Sequence, residues 1–173
     1  VDAWSSGKAL ARLPWLFLLS LLLFIKKSEK HHSYIGELLS IIKEIKEKQN
    51  KNESFEIFFR GQVNSIWGLQ SGIFRSKRLI ENEDKIYNEI LSLKPDYFRG
   101  NKYIYENLVT IQHFEGPTRL QDITTNPLMA LYFACTDEKK NDQDKDGRIF
   151  IFKENIDNIN YFDSDKILIL CNL

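Results

Sequence analysis

The sequence predicts an α+β fold: a small mixed sheet with flanking helices and one central buried helix. Three observations carry this expectation. Apolar residues recur at three- and four-residue steps in several stretches, alternate or run unbroken in others, and the two kinds of segment follow one another irregularly instead of in strict strand–helix–strand order. The 173 residues, 43% of them hydrophobic, suffice for one globular unit with a real core.

At the amino end, Leu13 to Ile25 reads LPWLFLLSLLLFI, uncharged and bracketed by Arg12 and Lys26-Lys27. A helix needs about 20 apolar residues to cross a bilayer, so this stretch is too short to span comfortably. No small-residue cleavage site follows, which weighs against a secretory signal. Residues 1–29 are therefore read as a hydrophobic extension with three readings open: non-native sequence, a membrane contact, or a helix packed on the domain. Few contacts are expected before about Ser28, and residues 30–173 are expected to form the domain proper, cut short at its carboxyl end.

From Ser33, a candidate cap, Ile35, Leu38, Leu39, Ile42 and Ile45 mark an amphipathic helix with charges on its other face. Phe55, Ile57 and Phe59 then alternate with Glu56, Phe58 and Arg60 as a strand does, and Gly61 is expected to permit a turn there. Ile86, Ile90 and Leu93 predict a second helix, stopped by Pro95, and Tyr105, Leu108, Val109 and Gln112 a third, broken at Gly116-Pro117. Thr118 to Ile123 reads as a short strand. Asn126 as cap and Pro127 at the first helical position open a fourth helix, apolar all round through Cys135 and hence the expected buried one. Ile149 to Phe152 and Ile167 to Leu170 read as strands covered on both faces.

The 24 basic and 24 acidic residues cancel, which removes the broad positive field that non-specific nucleic-acid binding needs, so no nucleic-acid partner is expected. Cys135 and Cys171 read as reduced core thiols, favouring the cytoplasm. Asp142, Asp144, Asp146 and Gly147 begin a calcium-loop pattern that fails at its closing acid, where Lys153 stands, so an exposed acidic turn is expected and no metal site. His31-His32 lacks companions at zinc spacing. No serine stands in a nucleophile elbow, and neither cysteine has an electropositive setting.

Polar residues concentrate in two places. The segment FFRGQ holds Arg60, whose planar fork grips phosphate or carboxylate with two parallel bonds, and Gln62, which would orient it or bind the same ligand. The alternative for Arg60 is a structural ion pair with Asp122. Leu108 to Ala134, LVTIQHFEGPTRLQDITTNPLMALYFA, holds Gln112, His113, Thr118, Arg119, Asp122 and Thr124 in one turn-rich connection. His113 would be a proton donor or a clamp, or else a structural residue.

These two segments, with Trp67-Gly68-Leu69 and Arg75 between them, resemble the FRG domain family from about Tyr34 to Phe152. The family's second motif reads Gln-His-x-Gly-x-Pro-Thr-Arg-Leu-Leu-Asp-Trp-Thr. This chain has Glu115 at the glycine position with Gly116 one residue late, and Gln121 and Ile123 in place of Leu and Trp. A second string, Phe98-Arg99-Gly100, lacks matching flanks and is read as coincidence. The order of motifs is also distantly similar to ADP-ribosyltransferases, which implies that Arg60 would hold NAD, Thr124 would match the hydroxyl-bearing strand, and Ala130 with Phe133 would pack. Glu154 is the one acid near a suitable strand for that family's glutamate. The resemblance thus implies a bacterial-type domain binding an anionic small molecule or nucleotide, NAD among them, around Arg60, Gln62, His113, Thr118, Arg119, Asp122 and Thr124. The alternative is a non-enzymatic module with a protein partner, its polar motif structural.

Overall fold

A computed structural model describes residues 8–9, 20–25, 32–48, 54–136 and 145–171. They belong to two units, Val1–Pro14, Leu69–Gln121 and Ile159–Leu173 in one, Trp15–Gly68 and Asp122–Asn158 in the other. The class is α+β.

The second unit is built on a three-stranded sheet in which β4 (Gly147–Asn155) lies between β2 (Ser20–Ile25) and β3 (Phe55–Gln62). Both pairings are antiparallel, so the sheet is not mixed as expected. Ile57 and Phe59 of β3 and Ile149 and Ile151 of β4 share one face. There they pack with Tyr34 and Leu38 of α1 (His32–Glu47) and with Ala130 and Ala134 of α5 (Pro127–Cys135). Ser33 lies in the first turn of α1, not at its cap. Ser20–Ile25 pairs along β4, which overturns the expectation of few contacts before Ser28; residues 13–19, the rest of the apolar stretch, lie outside the described residues. Among the described residues, no helix is long and apolar enough to cross a membrane.

Asn126 caps α5 by accepting from the Leu128 N–H at 3.0 Å, with Pro127 in the first turn, as expected. Its burial is not as expected. Only Ala130 and Ala134 are buried, while Leu128, Met129, Tyr132 and Phe133 are 39–53% exposed. The small residues explain why: a Cβ on Gly61 would stand 1.8 Å from the Ala130 carbonyl oxygen, and one on Gly147 2.1 Å from that of Ala134. Alanines on the helix and glycines on the sheet let the two backbones approach, and the bulky side chains point away. Gly61 therefore serves no turn. It is an interior residue of β3 opposite Ile149, outside the left-handed region, and close approach is what excludes a side chain there.

The first unit is mainly helical: α2 (Lys77–Ile80), α3 (Glu83–Leu93), α4 (Ile104–His113) and α6 (Asp165–Cys171), with a two-residue pairing of β1 (Lys8–Ala9) and β5 (Asn160–Tyr161). Leu108, Ile167 and Cys171 form its core, with Tyr87, Tyr105, Leu120 and Phe162 packed around them. Ile167 to Leu170, read as a strand, is helical: Ile167 and Cys171, four residues apart, are buried while Ile169 is 73% exposed. Thr118 to Ile123 is irregular. Thr118 diverts its backbone by accepting the Leu120 N–H on Oγ1, and just past the segment Thr124 makes an isolated bridge with Phe59 of β3. Asp146 is exposed at the entry to β4, and Asp142 and Asp144 lie outside the described residues.

Candidate functional site

On β3 the face opposite the core carries Glu56, Phe58, Arg60 and Gln62, and the antiparallel register sets Glu154, Phe152, Phe150 and Arg148 against them in turn. Phe58, Phe150 and Phe152 are buried, the last two with rings stacked 6.4 Å apart. At the far end of this face Arg60 and Arg148 stand diagonally across the ladder. The Arg148 guanidinium lies 5.7 Å from the Phe150 ring centroid. Sequence reading missed Arg148, although it alternates with Phe150 and Phe152; the unbroken apolar run Ile149 to Phe152 hid that alternation.

Arg60 is half-buried and its Nη1 donates to the Asp122 carbonyl oxygen at 2.7 Å. That contact is fixed two residues downstream. Phe59 and Thr124 exchange both backbone hydrogen bonds, at 2.7 and 2.9 Å, which sets the Asp122 carbonyl beside β3. The structure thus brings Arg60 and Asp122 together, with the Asp122 main chain accepting from the guanidinium. Thr124 also accepts the Asn126 N–H on Oγ1 at 3.0 Å, leading the chain into the α5 cap. Gln62 is 6% exposed, and its Oε1 has no hydrogen-bond partner.

The remaining candidates lie in the helical unit, and their bonds hold that unit together. Arg119 donates through Nε and Nη2 to the two carboxylate oxygens of Glu83 at 2.8 and 2.6 Å, and through Nη1 to the Leu170 carbonyl at 3.4 Å. The Glu83 bonds raise the Arg119 pKa above its ordinary value, against the opposing pull of burial. Burial likewise pushes the Cys171 thiol up, with nearby Arg119 drawing it back, so it is no activated nucleophile. Thr118, buried, donates to Gln112 Oε1 at 2.7 Å, and its carbonyl accepts from Ile73 at 3.1 Å. His113 is exposed at the last position of α4, its ring edge-on to Phe114, which in turn packs on Tyr97. Glu83 was not singled out in the sequence, yet a half-buried arginine calls for such a partner.

Glu154 shares the Arg60 face but lies four residues along β4 from Phe150, the residue paired with Arg60; that is a separation of about 14 Å. It is 8% exposed and accepts from Asn158 Nδ2 at 2.7 Å. It does not stand beside the arginine as an oxocarbenium stabiliser would. Among the described residues no three or more His, Cys, Asp or Glu side chains gather to hold a metal. A cavity in the helical unit lined by Glu83, Tyr87, Leu108, Ile111 and Pro117 has room for about one water molecule and reads as a packing gap.

Comparison with protein-family models matches residues 55–143 to the FRG domain. No curated protein and no solved structure matches the chain.

Proposed function

As the chain belongs to the FRG domain family, we propose that it is a recognition domain for an anionic small molecule, a nucleotide in particular, gripped at the end of the β3–β4 ladder by Arg60 and Arg148. The observation carrying this reading is that two guanidiniums project from neighbouring strands on one face. Diagonal partners across an antiparallel ladder lie about 7–8 Å apart at their origins, within reach of one phosphate for side chains of this length. NAD belongs to the class of ligands that would suit. The remoteness of Glu154 supports binding without ADP-ribosyl transfer, and the bonds of Thr118 and Arg119 support a structural role for that half of the motif. That Cys135 and Cys171 are not joined in a disulfide among the described residues supports a reducing compartment such as the cytoplasm.

The test is a thermal-shift screen with pyrophosphate, AMP, ADP and NAD, followed by titration of Arg60→Lys and Arg148→Lys, which keep charge but lose the planar fork. Ligand should raise the melting temperature of the wild type, and each variant should bind roughly tenfold more weakly with little change in its unliganded melting temperature. No shift with any anion would sink the reading.

A second reading, a protein-interaction module, is favoured by the exposed ridge Leu128, Met129, Tyr132 and Phe133 on α5. Under it, Phe133→Glu should abolish capture of a partner while leaving anion titrations unchanged.

A further inference from the structure

Gln62 lies directly across the ladder from Arg148 and two residues from Arg60 on the same face. Its side chain is 6% exposed, and its carbonyl oxygen accepts no hydrogen bond. Folded proteins satisfy nearly all such groups, and an acceptor shut away from water without a donor costs stability. We infer that Gln62 is a second anchoring residue of the Arg60 site and reads a sugar hydroxyl, so that the ligand is a ribose-bearing nucleotide. The inference rests on the anion-binding reading of Arg60 and Arg148.

The chemistry narrows the ligand in two steps. An unpartnered amide oxygen takes a donor and repels a second anionic group, so the ligand must carry a hydrogen-bond donor near its charge. Residues two apart on a strand stand about 6.8 Å from each other, and a ribose ring joins a phosphate and a hydroxyl across such a span. Half-buried Arg60, on the same face, offers the phosphate its first contact, and the Gln62 amide then turns to meet the hydroxyl.

The experiment titrates the wild-type chain and Gln62→Met, which keeps the length of the side chain and removes the acceptor, with pyrophosphate, AMP and 2′,3′-dideoxy AMP. The wild type should bind AMP at least about tenfold tighter than the dideoxy analogue, the worth of one hydrogen bond to a buried acceptor. Gln62→Met should bind both nucleotides at the weaker level, bind pyrophosphate as the wild type does, and melt at the same or a higher temperature. A structural glutamine would do the reverse, lowering the melting temperature with the preference for AMP intact. Equal wild-type affinity for the two nucleotides overturns the hydroxyl contact while leaving the anion site standing, and this comparison needs no variant. Failure of all three ligands to bind removes the anion site and this inference with it.

Discussion

Glu115 occupies the position where the family motif has glycine, and it is the one non-glycine residue with a positive φ among those described, at 63°. The reason is the end of α4. The Gly116 N–H donates to the Ile111 carbonyl and the Glu115 N–H to the Gln112 carbonyl, both at 2.9 Å, a pair of bonds that requires the residue after the C-cap to turn left-handed. An L-residue pays about 1–2 kcal/mol for that conformation, and glycine does not. Glu115→Gly should therefore stabilise the protein by roughly 0.5–1 kcal/mol after its larger unfolded-state entropy is counted, while Glu115→Val, β-branched, should destabilise it by about 1 kcal/mol. Urea unfolding of the two variants checks both signs; a loss of stability in Glu115→Gly would mean that contacts of the glutamate side chain outweigh the backbone strain. The sequence displayed the departure from the motif plainly. It could not display that the departing residue had kept the glycine's geometry.

Packing of α5 on β3 and β4 makes a sharper prediction, because the chain carries the string Phe-Arg-Gly twice. At Gly61 an added Cβ meets Ala130 main-chain oxygen at 1.8 Å, and main chain cannot swing aside; at Gly100 nothing lies within 4 Å. Gly61→Ala should cost about 3 kcal/mol or more, or prevent folding, since helix and sheet must separate. Gly100→Ala should fall within about 0.5 kcal/mol of the wild type or gain slightly, as Arg99 beside it is a surface residue paired with exposed Asp96. Thermal melts of the two variants suffice. The same elements mark what periodicity conveyed. The three-to-four-residue steps found α1, α3 and α4, and Asn126-Pro127 found the start of α5, because local patterns and caps are written in neighbouring residues. Ile167 to Leu170 was misread since four consecutive apolar residues fit a buried strand and a helix end equally well. Thr118 to Ile123 was misread because side chain to main chain bonds, which no alternation reveals, decided its path. For the site, the Arg60 face followed from alternation along β3. Asp122 was read as its partner from the sequence, whereas Arg148 and the diversion of Arg119 to Glu83 depended on contacts between residues distant in the chain.

At the scale of the whole molecule, the family match and the folding unit do not coincide. The matched stretch, 55–143, contains β3 and α5 but stops before β4. β4 is the middle strand of the sheet, pairing with β2 on one side and β3 on the other, and its Ile149 and Ile151 are 0% and 1% exposed in the core. The match also draws on both units, since the chain passes from one to the other at Gly68–Leu69 and again at Gln121–Asp122. A fragment of residues 55–143 would leave β3 with one open hydrogen-bonding edge and the Phe59–Thr124 bridge on the other. It would also leave Ile57, Phe59 and Ala134 without Ile149 and Ile151 of β4 and without Tyr34 and Leu38 of α1, which complete their cluster. A lone strand with α5 as the one helix left on its apolar face lacks the sheet that stability in water needs. We expect this fragment to be unfolded or aggregated, with no cooperative melt and little dispersion in its amide spectrum. Residues 32–171 keep β3, β4, α1 and α5, losing β1 and β2 among the described elements, and should melt cooperatively at a lower temperature than the full chain, since the outer edge of β4 is then bare. Calorimetry and amide spectra of the two fragments give the answer, and a cooperative transition in 55–143 would show that the helices hold the fold without the sheet.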